Sequence, residues 1–268
     1  MSKYKIIETT AFKLENALYF AELSDIVYES EEKIKNKIGD FGFSPFNLIF
    51  INKGDVQLFV VANEEHLLIV YQGSKLNIWD WIRNFSIWRA NTIHGKIHAG
   101  IEHEFRIIET ELIDAINKLQ NNNQKVYLTG HSKGAALASR TALEIFHALN
   151  KIRIFGVYSY GSPRWASIAV AKKYNKLFTN ISYQLQINND IATRFPKDWF
   201  LRFKTVSSRF YFDNDGIYRQ KISCLGIIKD SVLGRLSRVG DSVFDHLIRG
   251  SYIPAIKKSM LLKNNFTA

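Results

Sequence analysis

Apolar residues recur near helical spacing from residue 12 to 38, at Leu14, Leu18, Phe20, Leu23, Val27 and Ile34, so this stretch reads as helix. Two β-type runs follow, Val56–Val61 and Leu67–Tyr71. The polar break Asn63-Glu64-Glu65 between them reads as a hairpin turn. Residues 101–119 form an amphipathic pattern, with Ile101, Phe105, Ile108, Leu112, Ile116 and Leu119 on one face. Beyond it the pattern alternates: strand 125–129, helix 133–149, strand 154–160, helix 167–174 and strand 181–187. A second hairpin is expected at 205–221, turning at Asp213-Asn214-Asp215-Gly216. Alternating helices and strands predict an α/β fold with a mostly parallel central sheet flanked by helices. No internal repeat and no Pro/Gly/Ser-rich linker interrupts the 268 residues, so a single domain over 1–268 is expected.

Composition narrows the classes. Hydrophobic residues make up 46% and charged residues 23%, which is ordinary for a globular chain and unlike a disordered or collagen-like one. Cys224 is the one cysteine, so no intramolecular disulfide forms. The first twenty residues show no apolar core with a cleavage site, and no run of eighteen apolar residues occurs. A cytoplasmic location is the default expectation, with export without a cleavable leader left open. Net charge is +11, unevenly spread. Residues 194–263 hold 14 Lys/Arg against 6 Asp, a surplus of +8, and the rest hold 22 against 19. Such a bias either draws an anionic partner or serves as a solvated face.

The chemistry centres on Gly130-His131-Ser132-Lys133-Gly134, which fits G-x-S-x-G. It follows the apolar run Val126-Tyr127-Leu128 and opens the pattern Gly134–Ala138, the strand–turn–helix setting of a nucleophile elbow. The sharp turn needs glycine on both sides of the serine, because a Cβ there would clash. Ser132 is then the candidate nucleophile, and the N–H of Lys133 a candidate oxyanion donor. In the chain order of α/β-hydrolases the base follows the serine, with the acid between them. Downstream only His147 and His246 remain. His147 lies in the helix leaving the elbow, so His246 is the candidate base. No acidic residue occurs between Glu144 and Asp190. Asp190, just past a predicted strand, is the favoured acid. Asp198, Asp213 and Asp215 stand in looser contexts, and the last two read more simply as turn residues.

These segments resemble the class 3 (fungal-type) lipase family of α/β-hydrolases. GHSKGAALA at the elbow, YSYGSPRW at 158–165, YQLQINNDIATRFP at 183–196 and DHLIRGSY at 245–252 are similar to that family's motifs. So are YQGSKLNIWDWIRNF at 71–85 and KIHAGI at 96–101, all in the family's order. The resemblance implies that Asp190 and His246 complete a triad with Ser132, and that Ser74 supplies the second oxyanion donor. It also implies that residues 78–88 begin a lid, with Trp79, Phe85 and Trp88 as lid or substrate-contacting residues; core packing of this aromatic cluster is the equal alternative, and Trp81 is expected in the core. The expected function is hydrolysis of carboxylic esters of lipids, triacylglycerol or phospholipid, through an acyl-enzyme, with no cofactor and no metal. A lipid acyltransferase using the same triad and a non-catalytic hydrolase-fold binding module are the alternatives.

The chain departs from the family pattern at Gln72, Lys133 and Ala135, where Arg, Leu and Gly are usual. The Lys133 side chain is expected to bring positive charge to the mouth of the site. Together with the basic 194–263 segment, it predicts peripheral contact with anionic phospholipid and no nucleic-acid partner. Lys229–Arg238, with Val232, Leu233 and Leu236, is a candidate membrane-surface helix. His94 and His98 have i,i+4 spacing, but Gly95 lies between them and no acidic residue follows the first, so they are not expected to bind metal. His131 is expected to be a packed structural histidine.

Overall fold

A computed structural model of the chain describes residues 2–74, 88–121, 123–149, 152–196, 203–219, 222–237 and 245–265. The main sheet takes its strands from β1 (Leu48–Lys53), β2 (Val56–Ala62), β3 (His66–Tyr71), β6 (Lys125–His131), β7 (Ile154–Tyr160), β9 (Ser182–Ile187), β11 (Ser208–Phe212) and β12 (Tyr218–Arg219). They lie in the order β1-β2-β3-β6-β7-β9-β11-β12. The five strands from β3 to β11 run parallel, and antiparallel hairpins close both edges. The expected hairpins at 56–71 and 205–221 both form, with residues 213–216 turning the second. Strand β1 pairs with β2 from Val56 to Val61; its short apolar run Leu48-Ile49-Phe50-Ile51 carries no period that marks it as a strand.

Both sheet faces are covered, which is why the central strands are apolar on both sides. On β2, Val56, Leu58 and Val60 face one core and Phe59 and Val61 the other; β3 splits Leu67 and Ile69 from Leu68 and Val70 in the same way. The first core receives helices α3 (Ala99–Leu119), α4 (Lys133–Ala148) and α5 (Ile168–Phe178), through Phe105, Leu112, Leu137 and Tyr174 among others. The second receives α1 (Leu14–Ile26) and α7 (Ile253–Asn265), through Phe20, Leu23, Ile253 and Ile256.

The expected continuous helix over 12–38 divides. Helix α1 ends at Ile26, the chain turns, and Ser30 caps α2 (Glu31–Lys37) by accepting from the Lys33 N–H. Apolar spacing cannot register such a break, because Val27 and Ile34 stay buried on either side of it. The helix expected from Lys229 begins earlier, as α6 (Cys224–Ser237). A small antiparallel sheet was not anticipated. It joins β4 (Arg89–Thr92), β5 (Gly95–His98), β8 (Ala166–Ser167) and β10 (Phe203–Lys204), two of them only two residues long. Among the described residues no helix is long and apolar enough to cross a membrane.

Candidate active site

Four loops leave the C-terminal ends of the adjacent parallel strands β3, β6, β7 and β9, where α/β sheets place their sites. The β6 loop is the elbow. Ser132 sits at φ 57°, ψ −128°, a region costly for a residue with a side chain. Its N–H is held by the Tyr160 carbonyl at 2.8 Å, and α4 starts at the next residue. The flanking glycines are needed for close approach. A Cβ on Gly130 would lie 2.5 Å from the Gly134 carbonyl, and one on Gly134 would lie 2.6 Å from the Gln72 carbonyl oxygen.

His246 reaches this serine from 114 residues away, with Nε2 2.8 Å from Ser132 Oγ. Its Nδ1 lies 2.9 Å from Asp190 Oδ1. An ionised carboxylate only accepts, so Nδ1 carries the proton and Nε2 is left to accept from the serine hydroxyl. Asp190 closes the β9 loop and is fully buried. Three donors converge on it: His246 Nδ1, the Ala192 N–H at 2.9 Å and the Tyr252 hydroxyl at 2.5 Å. Burial and the neighbouring carboxylate push the Tyr252 phenol well up, so it stays a donor. Asp245 adds a second tie between the two loops by accepting the Asn189 N–H at 2.9 Å.

Tyr252 and Gly161 were missed by sequence reasoning, although both lie inside segments that carried the resemblance. Gly161, at φ 60° beyond β7, leaves room for the Asp190–His246 pair. A Cβ there would sit 2.6 Å from Asp190 Oδ2 and 3.0 Å from His246 Nδ1.

Ser74 follows Gly73 on the β3 loop. A Cβ on Gly73 would come 3.1 Å from the Ser132 Cβ, so Ser74 lies one residue from direct contact with the elbow. The Lys133 backbone stands at the first residue of α4, where N–H groups favour developing negative charge. Its side chain corrects an expectation. Lys133 is 4% exposed, and its Nζ donates to Glu104 and to the Asp55 carbonyl, both at 3.0 Å. The charge therefore turns into an ion pair against α3, away from the mouth of the site.

Trp79 and Phe85, like Trp81 and Asp198, lie outside the described residues. Trp88 immediately precedes β4 of the small sheet and is 75% exposed. Asp213 caps its own hairpin turn, accepting the Asp215 and Ile217 N–H groups, and pairs with Arg219. His147 stacks edge-on against His94 at 5.6 Å, and His94 pairs with Glu144 at 3.2 Å. The Nδ1 of His98 accepts the Ile101 N–H at 3.4 Å, at the start of α3. Among the described residues Glu8, Glu65 and His66 stand close enough to share a cation, but Lys125 already pairs with Glu8. That group lies at the opposite, N-terminal end of the parallel strands.

The family model described as Lipase (class 3) matches residues 68–200. A Rhizomucor miehei lipase is 29% identical over 143 residues, and a Caenorhabditis elegans lipase 26% identical over 140. Each alignment covers about half of this chain, 50% and 49%, and 38% of the relative's length. Among solved structures, the Rhizomucor miehei lipase in its propeptide complex superposes with a TM-score of 0.67 over 88% of this chain and 80% of its own, at 20% identity. The Lip2 lipase of Yarrowia lipolytica gives 0.65 over 91% of this chain and 97% of its own, at 17% identity. The shared architecture is the α/β-hydrolase fold. The motifs from the β3 loop to the Asp190 loop and the fold that displays them agree: residues 68–200 of this chain match the class 3 lipase family.

Proposed function

We propose that the chain is a serine lipase or esterase that hydrolyses carboxylic ester bonds of lipids. The observation that carries this reading is the unbroken hydrogen-bonded line from Ser132 Oγ through His246 to the buried Asp190. In the first step Ser132 Oγ attacks the ester carbonyl carbon while His246 Nε2 takes its proton. The electron pair of the C=O bond moves onto oxygen, and the N–H groups of Lys133 and Ser74 receive that charge. Asp190 keeps the proton on Nδ1 and stabilises the imidazolium. Collapse expels the alcohol, which takes the proton from Nε2 and leaves an acyl-serine. Water repeats the sequence and releases the carboxylic acid. The same line of groups supports turnover over the reading as a non-catalytic binding module.

Triacylglycerol and phospholipid are the proposed substrate classes, approached at an anionic surface. Support for surface contact comes from α6. Ser231 is tied to Asn189 beside Asp190, while Leu225 and Val232 are 71% and 51% exposed with Lys229 exposed between them. An apolar stripe flanking a cation suits a lipid–water boundary. The basic surplus itself contributes less than its +8 suggests, since Arg249 and Lys257 pair with Asp25 and Glu22 from outside the segment.

The test is ester hydrolysis and fluorophosphonate labelling of the wild type and of Ser132→Ala. Loss of both in the variant, with the fold retained, is the expected outcome. The residual catalysis without a triad member is about 10³–10⁴ over water. Near-wild-type hydrolysis by Ser132→Ala would end the reading.

A further inference from the structure

A chain of hydrogen bonds outside the triad joins three of its loops. The Gly73 N–H donates to the Tyr28 hydroxyl at 3.1 Å. Tyr28 Oη lies 3.0 Å from His131 Nδ1, and His131 Nε2 lies 2.5 Å from the backbone carbonyl of His246. Gly73 precedes Ser74, His131 precedes Ser132, and His246 is the proposed base, so each member sits beside or within a reacting group. Tyr28 comes from the turn between α1 and α2, far from the site in sequence and outside the matched residues 68–200.

The proton positions in this chain are determined throughout. A carbonyl only accepts, so His131 Nε2 carries hydrogen. Neutral imidazole then has only a lone pair at Nδ1, and Tyr28 must donate to it. The Tyr28 oxygen is left to accept from Gly73. Burial, with His246 beside it, pushes His131 down to about 3, so the ring stays neutral across the working pH range and its hydrogen bonds fix the tautomer. The fit is tight as well as directional. A Cβ on Gly73 would lie 2.3 Å from Tyr28 Oη and 2.7 Å from the His131 carbonyl oxygen. The His131 and His246 rings are 4.6 Å apart between centroids.

We infer that Tyr28 and His131 are positioning residues, which hold the oxyanion loop and the loop of the base in register with the nucleophile. This rests on the triad reading above. Neither side chain touches the reacting atoms. Their effect is on the aim of the Ser74 donor and on the seat of His246, and small misplacements of such groups cost about 10²-fold in rate.

The experiment compares Tyr28→Phe, His131→Asn, His131→Gln and the double variant Tyr28→Phe/His131→Gln with the wild type, using a soluble p-nitrophenyl ester and an alkylboronic acid as a tetrahedral analogue. An asparagine amide can replace Nδ1 toward Tyr28 but cannot reach the His246 carbonyl, and a glutamine amide does the reverse. Each single variant should lower kcat roughly 10- to 100-fold, with KM within about twofold. Boronate affinity should fall in parallel with kcat. The double variant should lose less than the product of its two singles, because both break one chain. Tyr19→Phe, which removes a buried hydrogen bond to the Phe41 carbonyl elsewhere, should lower stability and leave kcat alone. If Tyr28→Phe does not fold, the two His131 variants carry the test. Wild-type kcat in Tyr28→Phe or in both His131 variants, or effects confined to KM, would overturn the inference while Ser132→Ala stays inactive. Activity in Ser132→Ala would instead remove the triad reading and this inference with it.

Discussion

Replacing Lys133 by leucine, the residue usual in the family, should weaken the fold and spare the chemistry. The Lys133 side chain is 5% exposed and its partner Glu104 20% exposed, so the variant leaves a largely buried carboxylate without its cation. Breaking a buried pair on one side costs about 3–5 kcal/mol, and the residual exposure of Glu104 places this case nearer 2–4 kcal/mol. For a chain of this size that corresponds to a fall in Tm of roughly 5–10 °C. Burial already pushes the Glu104 carboxyl up, and Lys133 opposes that rise. Without Lys133 the carboxyl protonates more readily in the folded state, so the deficit should shrink as pH falls toward the carboxylate range. The double variant Lys133→Leu/Glu104→Leu should recover most of the loss, because an apolar pair has no charge to desolvate. Turnover of a soluble ester should stay within about threefold of wild type, since the residue 133 N–H is unchanged. Thermal unfolding at two pH values, with kcat on the same preparations, measures all of this. Unchanged stability in Lys133→Leu, together with a lost preference for anionic over neutral vesicles, would refute the buried-pair account and return the charge to the mouth of the site.

Three further outcomes are expected. Tyr252→Phe removes one of three donors to the Asp190 carboxylate, a charged hydrogen bond worth about 1.5–3 kcal/mol, and should lower kcat about tenfold or more with KM nearly constant; steady-state kinetics at fixed pH will show whether the tie matters. Gly161→Ala should cut activity by more than about 10²-fold, because the added methyl at positive φ displaces the Asp190–His246 pair, and wild-type kinetics would contradict the geometry. His131 is held neutral, so below about pH 6.5 the unfolded chain binds a proton that the native state refuses. Its share of stability is complete above that pH and is lost as pH falls toward about 3. His66, also lowered by burial, acts in the same direction. Glu144, lowered to about 2 chiefly by its hydrogen bond with His94, loses its share at lower pH, between about 4.5 and 2. Denaturant unfolding from pH 7 to 4 should slope less steeply for His131→Asn than for wild type.

The elements and the candidate groups of the site were legible in the sequence where the signal is local. Strand-to-helix turns such as Gly130–Gly134 are short, and their glycines answer to clashes within a few residues, so the elbow announces itself. Apolar runs marked β2, β3, β6, β7 and β9, and chain order narrowed the candidate base to His246. Single-residue contacts across the fold were not legible. Tyr28 meets His131 across 103 positions and Tyr252 meets Asp190 across 62; nothing near Tyr28 distinguishes it from a core aromatic, and the 245–252 motif that holds Tyr252 does not name its partner. The break after α1 that lets Tyr28 reach the elbow leaves the apolar spacing intact. The two-residue strands of the small sheet hold no periodicity to read, because their pairing is decided by neighbours brought in from residues 89–98, 166–167 and 203–204. Lys133 makes the same point in terms of charge. Sequence shows that a cation follows Ser132, but only packing decides whether its four-carbon stem points outward or, as here, carries the ammonium inward to a carboxylate on α3. Sequence order could set the backbone at Lys133, while the side chain answered to the low-dielectric surroundings that only the assembled fold creates.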